Sequence, residues 1–274
     1  MSNLERRYAR LLRLYPAAYR AERGPELLDA LLQAEPGPRE VRALIFGALR
    51  AHAARDHVPS ARRDWLTAFR AAALMLLVSG IVGLWVQLSF PIENLRFGIA
   101  TTAITLVALG SAVGGRYLLA TVATVAATAT AADSGFGSGL AWQLPLAALL
   151  LAPLHWHRPG RASGVLRYVP LLPVLLAAAD ELFTHAFPAV SGVLQRGLLM
   201  GVVVAALLWL AVDERVPMAV GLLFLNTLLV QVAYLVATGQ ANLVAVVLQM
   251  AFVGLPPVIL LTSASARSRH QAIV

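Results

Sequence analysis

Three ionisable side chains stand inside a long apolar stretch: Asp180, Glu181 and His185, within the segment from Tyr168 to Phe187. Charged groups at membrane depth are costly, so such residues mark a candidate polar or ion site by default. Glu181 and His185 are four apart and share one helix face. That pair suits a proton relay or the binding of a cation. At 1.5 Å per residue, Asp180 lies about 18 Å along a helix from Tyr168, past the middle of a hydrocarbon core of about 30 Å. His185 is then near the outer edge. Pro170 and Pro173 make this depth depend on where the helix begins. The plainer expectation is that the helix ends early and all three groups meet outer water.

Other spacings carry less chemistry. His155-Trp156-His157 is an i, i+2 pair, which cannot chelate from one helix face and reads as an interfacial segment end. Ser134-Gly135-Phe136-Gly137-Ser138-Gly139 follows no strand, so it reads as an outer loop and not a phosphate cradle. Gly110 to Gly114 and Gly197 to Gly201 are small-xxx-small spacings. They are expected to pack helices inside the bundle, and they also permit a homo-oligomer. The chain has no cysteine, which excludes a thiolate nucleophile and any Cys-ligated metal. All 22 basic residues are arginine. A Walker A loop and a Schiff-base lysine are therefore both excluded. No HExxH, GxSxG or paired-carboxylate hydrolase pattern occurs. The expectation is a non-enzyme with no cofactor and no metal.

The elements that position these residues follow from composition. Of 274 residues, 59% are hydrophobic and 13% charged, against about 45–50% and about 25% in soluble domains. The mean hydropathy is +0.72. These values imply an all-α, polytopic membrane helix bundle. Eight apolar segments run Ala71–Phe90, Phe97–Val113, Tyr117–Ala132, Leu140–Trp156, Tyr168–Phe187, Gly197–Val212, Pro217–Thr238 and Ala241–Leu261. They are continuously apolar and do not alternate, which argues against a β-barrel. Those beginning at Tyr117 and Gly197 have 16 residues each, near the lower limit of about 17 for a span. With the N-terminus inside, 20 arginines fall on the inner side and only Arg96 and Arg196 outside. That split orients both termini to the cytoplasm in a cell-membrane protein. The expected division is a cytoplasmic helical domain over residues 1–66, the eight-helix bundle over 67–262 and a cytoplasmic tail over 263–274.

Residues 1–66 carry twelve arginines and eight acidic residues. No uninterrupted apolar run follows Met1, so the start does not read as a signal peptide. Leu4, Tyr8, Leu11, Tyr15 and Tyr19 recur at helical spacing, with a break expected at Pro16. Gly24 suits a helix end and Pro25 the first turn of the next helix. Leu27, Leu28, Leu31 and Leu32 form the second stripe. Pro36-Gly37-Pro38 reads as a turn, and Val41, Leu44, Ile45, Leu49 and His52 mark a third helix. A bundle this small has a marginal core, so Tyr8, Leu11, Tyr15, Leu27, Leu28 and Leu31 are candidate partner-binding residues. The net charge of this part is modest and its acids are interspersed, so nucleic acid is not expected as a partner. Positive-inside topology and attraction to an anionic lipid bilayer account for the arginines.

The run from Arg7 to Arg20, RYARLLRLYPAAYR, followed by Ala21-Glu22-Arg23-Gly24-Pro25-Glu26-Leu27-Leu28, resembles the small helical domain ahead of membrane segments in many actinobacterial proteins. These are the HAAS, or permease-prefix-like, domains. The resemblance covers roughly residues 4 to 57 and implies a cytoplasmic signalling or assembly module, with a PadR-type regulator or a transporter subunit as partner. It supplies no catalytic residues. Two functions remain in view: a signalling or accessory membrane protein, and a transporter or permease subunit with a substrate path through the bundle. If Asp180, Glu181, Gln143, Asn226 and Gln231 line one cavity, transport gains. If polar groups collect at the rims, the accessory reading gains.

Overall fold

The structure is a computed structural model that describes residues 3–33, 38–54, 60–88, 95–133, 138–157, 159, 164–238 and 243–273. Among these residues the chain is all-α, with eleven α-helices, two short 3-10 turns and no strand. The expected turn at Pro36-Gly37 lies outside the described residues, as does the Ser134–Gly137 part of the glycine-rich run.

Helices α1 (Asn3–Leu12), α2 (Ala17–Gln33) and α3 (Pro38–Ala54) make the N-terminal part. The chain leaves helix geometry before Pro16, whose carbonyl then accepts the Arg20 N–H at 3.0 Å as α2 begins. The break expected at Gly24-Pro25 does not occur, because α2 runs through both residues. A residue before proline is normally pushed out of the α region by its own Cβ and the proline ring. Glycine has no Cβ, so Gly24 lets Pro25 stay in the helix. Tyr8, Leu12, Tyr15, Leu31, Leu44 and Ala48 form a buried core across all three helices. Gly47 is required there, since a Cβ on it would collide with the Tyr15 hydroxyl. Tyr15 stacks on Tyr19 with ring centroids 5.2 Å apart. Burial, with Tyr19 adding, raises the Tyr15 phenol pKa, so the ring stays neutral at physiological pH.

The eight apolar segments each fold as one helix. They are α4 (Ala61–Leu88), α5 (Leu95–Val113), α6 (Tyr117–Asp133), α7 (Ser138–Trp156), α8 (Leu172–Ala186), α9 (Ser191–Trp209), α10 (Arg215–Thr238) and α11 (Leu243–Ile273). Among the described residues, six of these are long and apolar enough to cross a membrane, namely α4, α5, α8 with its preceding turn, α9, α10 and α11. Helix α4 is the centre of the bundle and packs on α5, α7, α8, α10 and α11. Small residues allow this closeness: Ala68, Ala71, Ala72 and Ala73 on α4, and Ala120, Ala123 and Ala127 on α6, are all buried. Gly221 does the same for α10 and α11, where an added Cβ would lie 2.9 Å from Leu261 Cγ.

Interior threonines satisfy themselves. Thr101, Thr105 and Thr124 each donate to the carbonyl four residues back, at 2.7 to 2.8 Å. Back-bonding of this kind lets a hydroxyl sit on an apolar helix without an orphaned proton. Thr101 also reaches Thr130 Oγ1 at 2.9 Å, tying α5 to α6.

The segment from Tyr168 starts later as an α-helix than expected. Residues Gly164–Arg167 and Val169–Leu171 are 3-10 turns, and α8 begins only at Leu172. Pro170 falls in the second turn and Pro173 in the first turn of α8, where a missing N–H removes no intrahelical bond. The turn at Gly164–Arg167 also touches α3, so the N-terminal helices rest on the same end of the bundle.

Candidate functional site

Asp180, Glu181 and His185 all lie on α8, and the helix does not end before them but continues to Ala186. Their exposure has a different cause from the expected early end: the other helices cover little of α8. Only 6% of this span is buried. His185 Nε2 and Glu181 Oε1 are 2.8 Å apart, with both side chains more than 70% exposed. Asp180 opens onto a shallow cleft of ≈ 330 Å³ between α8 and α9, shared with Gln195 and Leu198. That cleft contains none of Gln143, Asn226 or Gln231. Gln143 instead bonds Ser79 across α7 and α4 at 3.4 Å, and Asn226 Oδ1 is buried without a hydrogen-bond partner. Among the described residues, the cleft at Asp180 therefore does not gather these polar groups.

On the expectation that these three groups meet outer water, solvated carboxylates and ion pairs contribute little to stability. The double substitution Asp180→Asn with Glu181→Gln is expected to leave insertion and detergent-extracted monodispersity unchanged. Gel filtration of the extracted protein checks this, and a shift into the aggregate fraction would show that these groups are buried against a neighbour.

The other sequence candidates are placed as follows. Tyr8, Tyr15 and Leu31 are core residues of the N-terminal part, with Leu11, Leu27 and Leu28 packed against that core. The two apolar stripes close on each other, so these residues hold the domain together. What remains outside is Leu14, Ile45 and Phe46, exposed by 39 to 48%. Gly110, Gly197 and Gly201 do not pack helices inside the bundle as expected, since an added Cβ on each would meet nothing within 4 Å. His155 and His157 point to opposite uses: His155 lies edge-on to Trp156, while His157 Nε2 contacts the Arg62 guanidinium.

A polar layer that the sequence reading missed joins the helices at one end. Asp64, Asp213, Glu214, Arg215 and Ser268 are all at most 6% exposed. Arg215 holds Asp213 with Nε to Oδ1 and Nη2 to Oδ2, both at 2.8 Å. The Arg215 backbone N–H donates to the same Oδ1 at 3.0 Å, so Asp213 also caps the start of α10. Pro217 sits in that first turn, where no donor is needed. Ser268 Oγ donates to Asp64 Oδ2 at 2.9 Å, tying α11 to α4. Arg267 Nη2 donates to the Ala211 carbonyl at 3.2 Å. The charges of Asp213, Asp64 and Glu214 all act on Arg215. Among the described residues no group of three carboxylate, histidine or cysteine side chains has the geometry for a metal ion. The arrangement is a guanidinium locked among carboxylates, which fixes helix ends.

One signal could have found it. Every member lies within about two turns of the arginine-rich end of its apolar segment, and Asp213-Glu214-Arg215 is an unusually charged connection between two such segments. No family model matches the chain, and no curated protein or solved structure is similar to it.

Proposed function

We propose that the chain is a non-enzymatic membrane protein of the cell membrane that acts as a signalling or accessory subunit through its N-terminal helices. On this reading all eight helices α4 to α11 cross the bilayer, with both termini cytoplasmic. Residues 1–66 form the cytoplasmic module, as the resemblance to HAAS-type domains implies. Its partner is a cytoplasmic regulator of the PadR type or a transporter subunit. The observation that carries this is the exposed apolar set Leu14, Ile45 and Phe46 on a three-helix domain whose own core is already closed. Exposed apolar side chains beside a closed core offer a contact surface. Scattered polar groups in place of one lined cavity favour this reading over a substrate path.

The test is affinity purification from native membranes using full-length protein, a form lacking residues 1–57, and Ile45→Glu with Phe46→Glu. A partner recovered with the full chain and lost from both variants is expected. Its retention by the truncated form would move the interaction to the bundle and overturn the assignment.

A further inference from the structure

A cleft of ≈ 540 Å³ opens between α4, the end of α5 and the 3-10 turns that precede α8. Its walls are largely apolar, including Leu74, Val78, Leu109 and Leu171. Two arginines line it, Arg70 from α4 and Arg167 from the turn. Among the described residues Arg70 Nε is buried with no acceptor, and its Nη2 reaches the Val113 carbonyl at 3.4 Å. Among the described residues no carboxylate forms an ion pair with Arg70 or Arg167. Both arginines stand at the arginine-rich ends of their apolar segments, the side that the positive-inside bias gives to the cytoplasm.

These features select one class of occupant. A buried donor without an acceptor is costly, and a charged one more so, which calls for an anion. A free anion would answer the arginines but leave the apolar walls facing water. A neutral lipid would cover the walls but leave the guanidinium unanswered. We propose that this cleft is a site for an anionic phospholipid of the inner leaflet. The phosphate lies between Arg70 and Arg167, and one acyl chain runs along Leu74, Val78 and Leu109. Basic clefts between helix ends on the cytoplasmic side are suited to such headgroups. The site stands whether or not the N-terminal helices bind a partner.

The experiment uses the full chain, delipidated in detergent, with three probes: phosphatidylglycerol, phosphatidylcholine and inorganic phosphate. Binding is read by native mass spectrometry and by the shift in melting temperature. Phosphatidylglycerol is expected to bind and stabilise, phosphatidylcholine to bind weakly, and inorganic phosphate to do neither. Arg167→Gln, at an exposed position where folding is not at stake, should cut the preference for phosphatidylglycerol roughly fivefold. Arg70→Gln with Arg167→Gln should abolish it. Leu109→Trp, which fills the apolar wall and keeps both arginines, should weaken phosphatidylglycerol as well. Equal binding of the two lipids, an equal shift from inorganic phosphate, or an unchanged preference in Arg167→Gln would each overturn the proposal.

Discussion

Replacing Arg215 by methionine is expected to be the most damaging single substitution in the bundle, costing about 3–5 kcal/mol, the usual range for breaking a buried ion pair from one side. The guanidinium makes two 2.8 Å bonds to Asp213, and its residue is 6% exposed. Asp64 and Glu214 also act on it, at 2% and 4% exposure. Methionine fills a similar volume but removes the guanidinium that holds Asp213 and is acted on by the buried Asp64 and Glu214. Either they take up protons or water enters the helix ends, and both routes cost stability. Arg215→Lys keeps the charge but loses the planar fork, so it should fall between the two. Asp213→Asn should cost less than Arg215→Met, because Asp64 and Glu214 still neutralise the arginine and an amide oxygen can still cap α10. The check is the melting midpoint of detergent-extracted protein, followed by fluorescence gel filtration. An Arg215→Met protein that melts with the wild type would show that the cluster is solvated and the charges screened.

This cluster also marks the limit of what the sequence made legible. Hydropathy is a local property, and each of the eight apolar runs holds one α-helix, but α4 begins at Ala61 and α11 runs on to Ile273, through polar residues that hydropathy had placed outside the spans. Prolines at the starts of segments were legible for the same reason. Pro16 broke a helix, while Pro173 and Pro217 sat in first turns where the missing donor costs nothing. Gly24-Pro25 misled because each residue alone argues for a boundary, whereas together the glycine removes the clash that the proline would cause. Asp180, Glu181 and His185 stood out because they interrupt an apolar run, yet which way a helix face points is a tertiary fact. The pairing of Asp64 with Ser268 joins residues 204 apart, and no periodicity encodes it. The stripe of Tyr8, Leu11 and Tyr15 was visible, but whether it closes on Leu27, Leu28 and Leu31 or stays open depends on how three short helices meet. Gly47, which lets Tyr15 in, gave no signal of that in the sequence.

The second large effect is all-or-none. The chain contains no cysteine, so any single introduced cysteine reports its side of the membrane without background. With both termini cytoplasmic and eight crossings, Ser2→Cys and Ser163→Cys should react with an impermeant maleimide only after permeabilisation. Ser89→Cys and Ser134→Cys should react in intact cells. Ser134 is the informative position. If α6 and α7 did not cross, the remaining six spans would leave every other site on the same side and move Ser134 alone to the inside. Two observations argue for crossing. At 1.5 Å per residue, the 17 residues of α6 and the 19 of α7 extend about 25 Å and about 28 Å, close to a core of about 30 Å. Helix α7 is also tied to α4 at two depths, by Gln143 to Ser79 and by His157 to Arg62. Seventeen residues separate Ser79 from Arg62 along a helix that is itself long and apolar enough to span. A helix fastened alongside α4 over that length is expected to cross with it. Labelling of Ser134→Cys only after permeabilisation would remove α6 and α7 from the bilayer. Labelling of Ser2→Cys in intact cells would invert the whole chain, and with it the cytoplasmic placement of the N-terminal helices on which the proposed function depends.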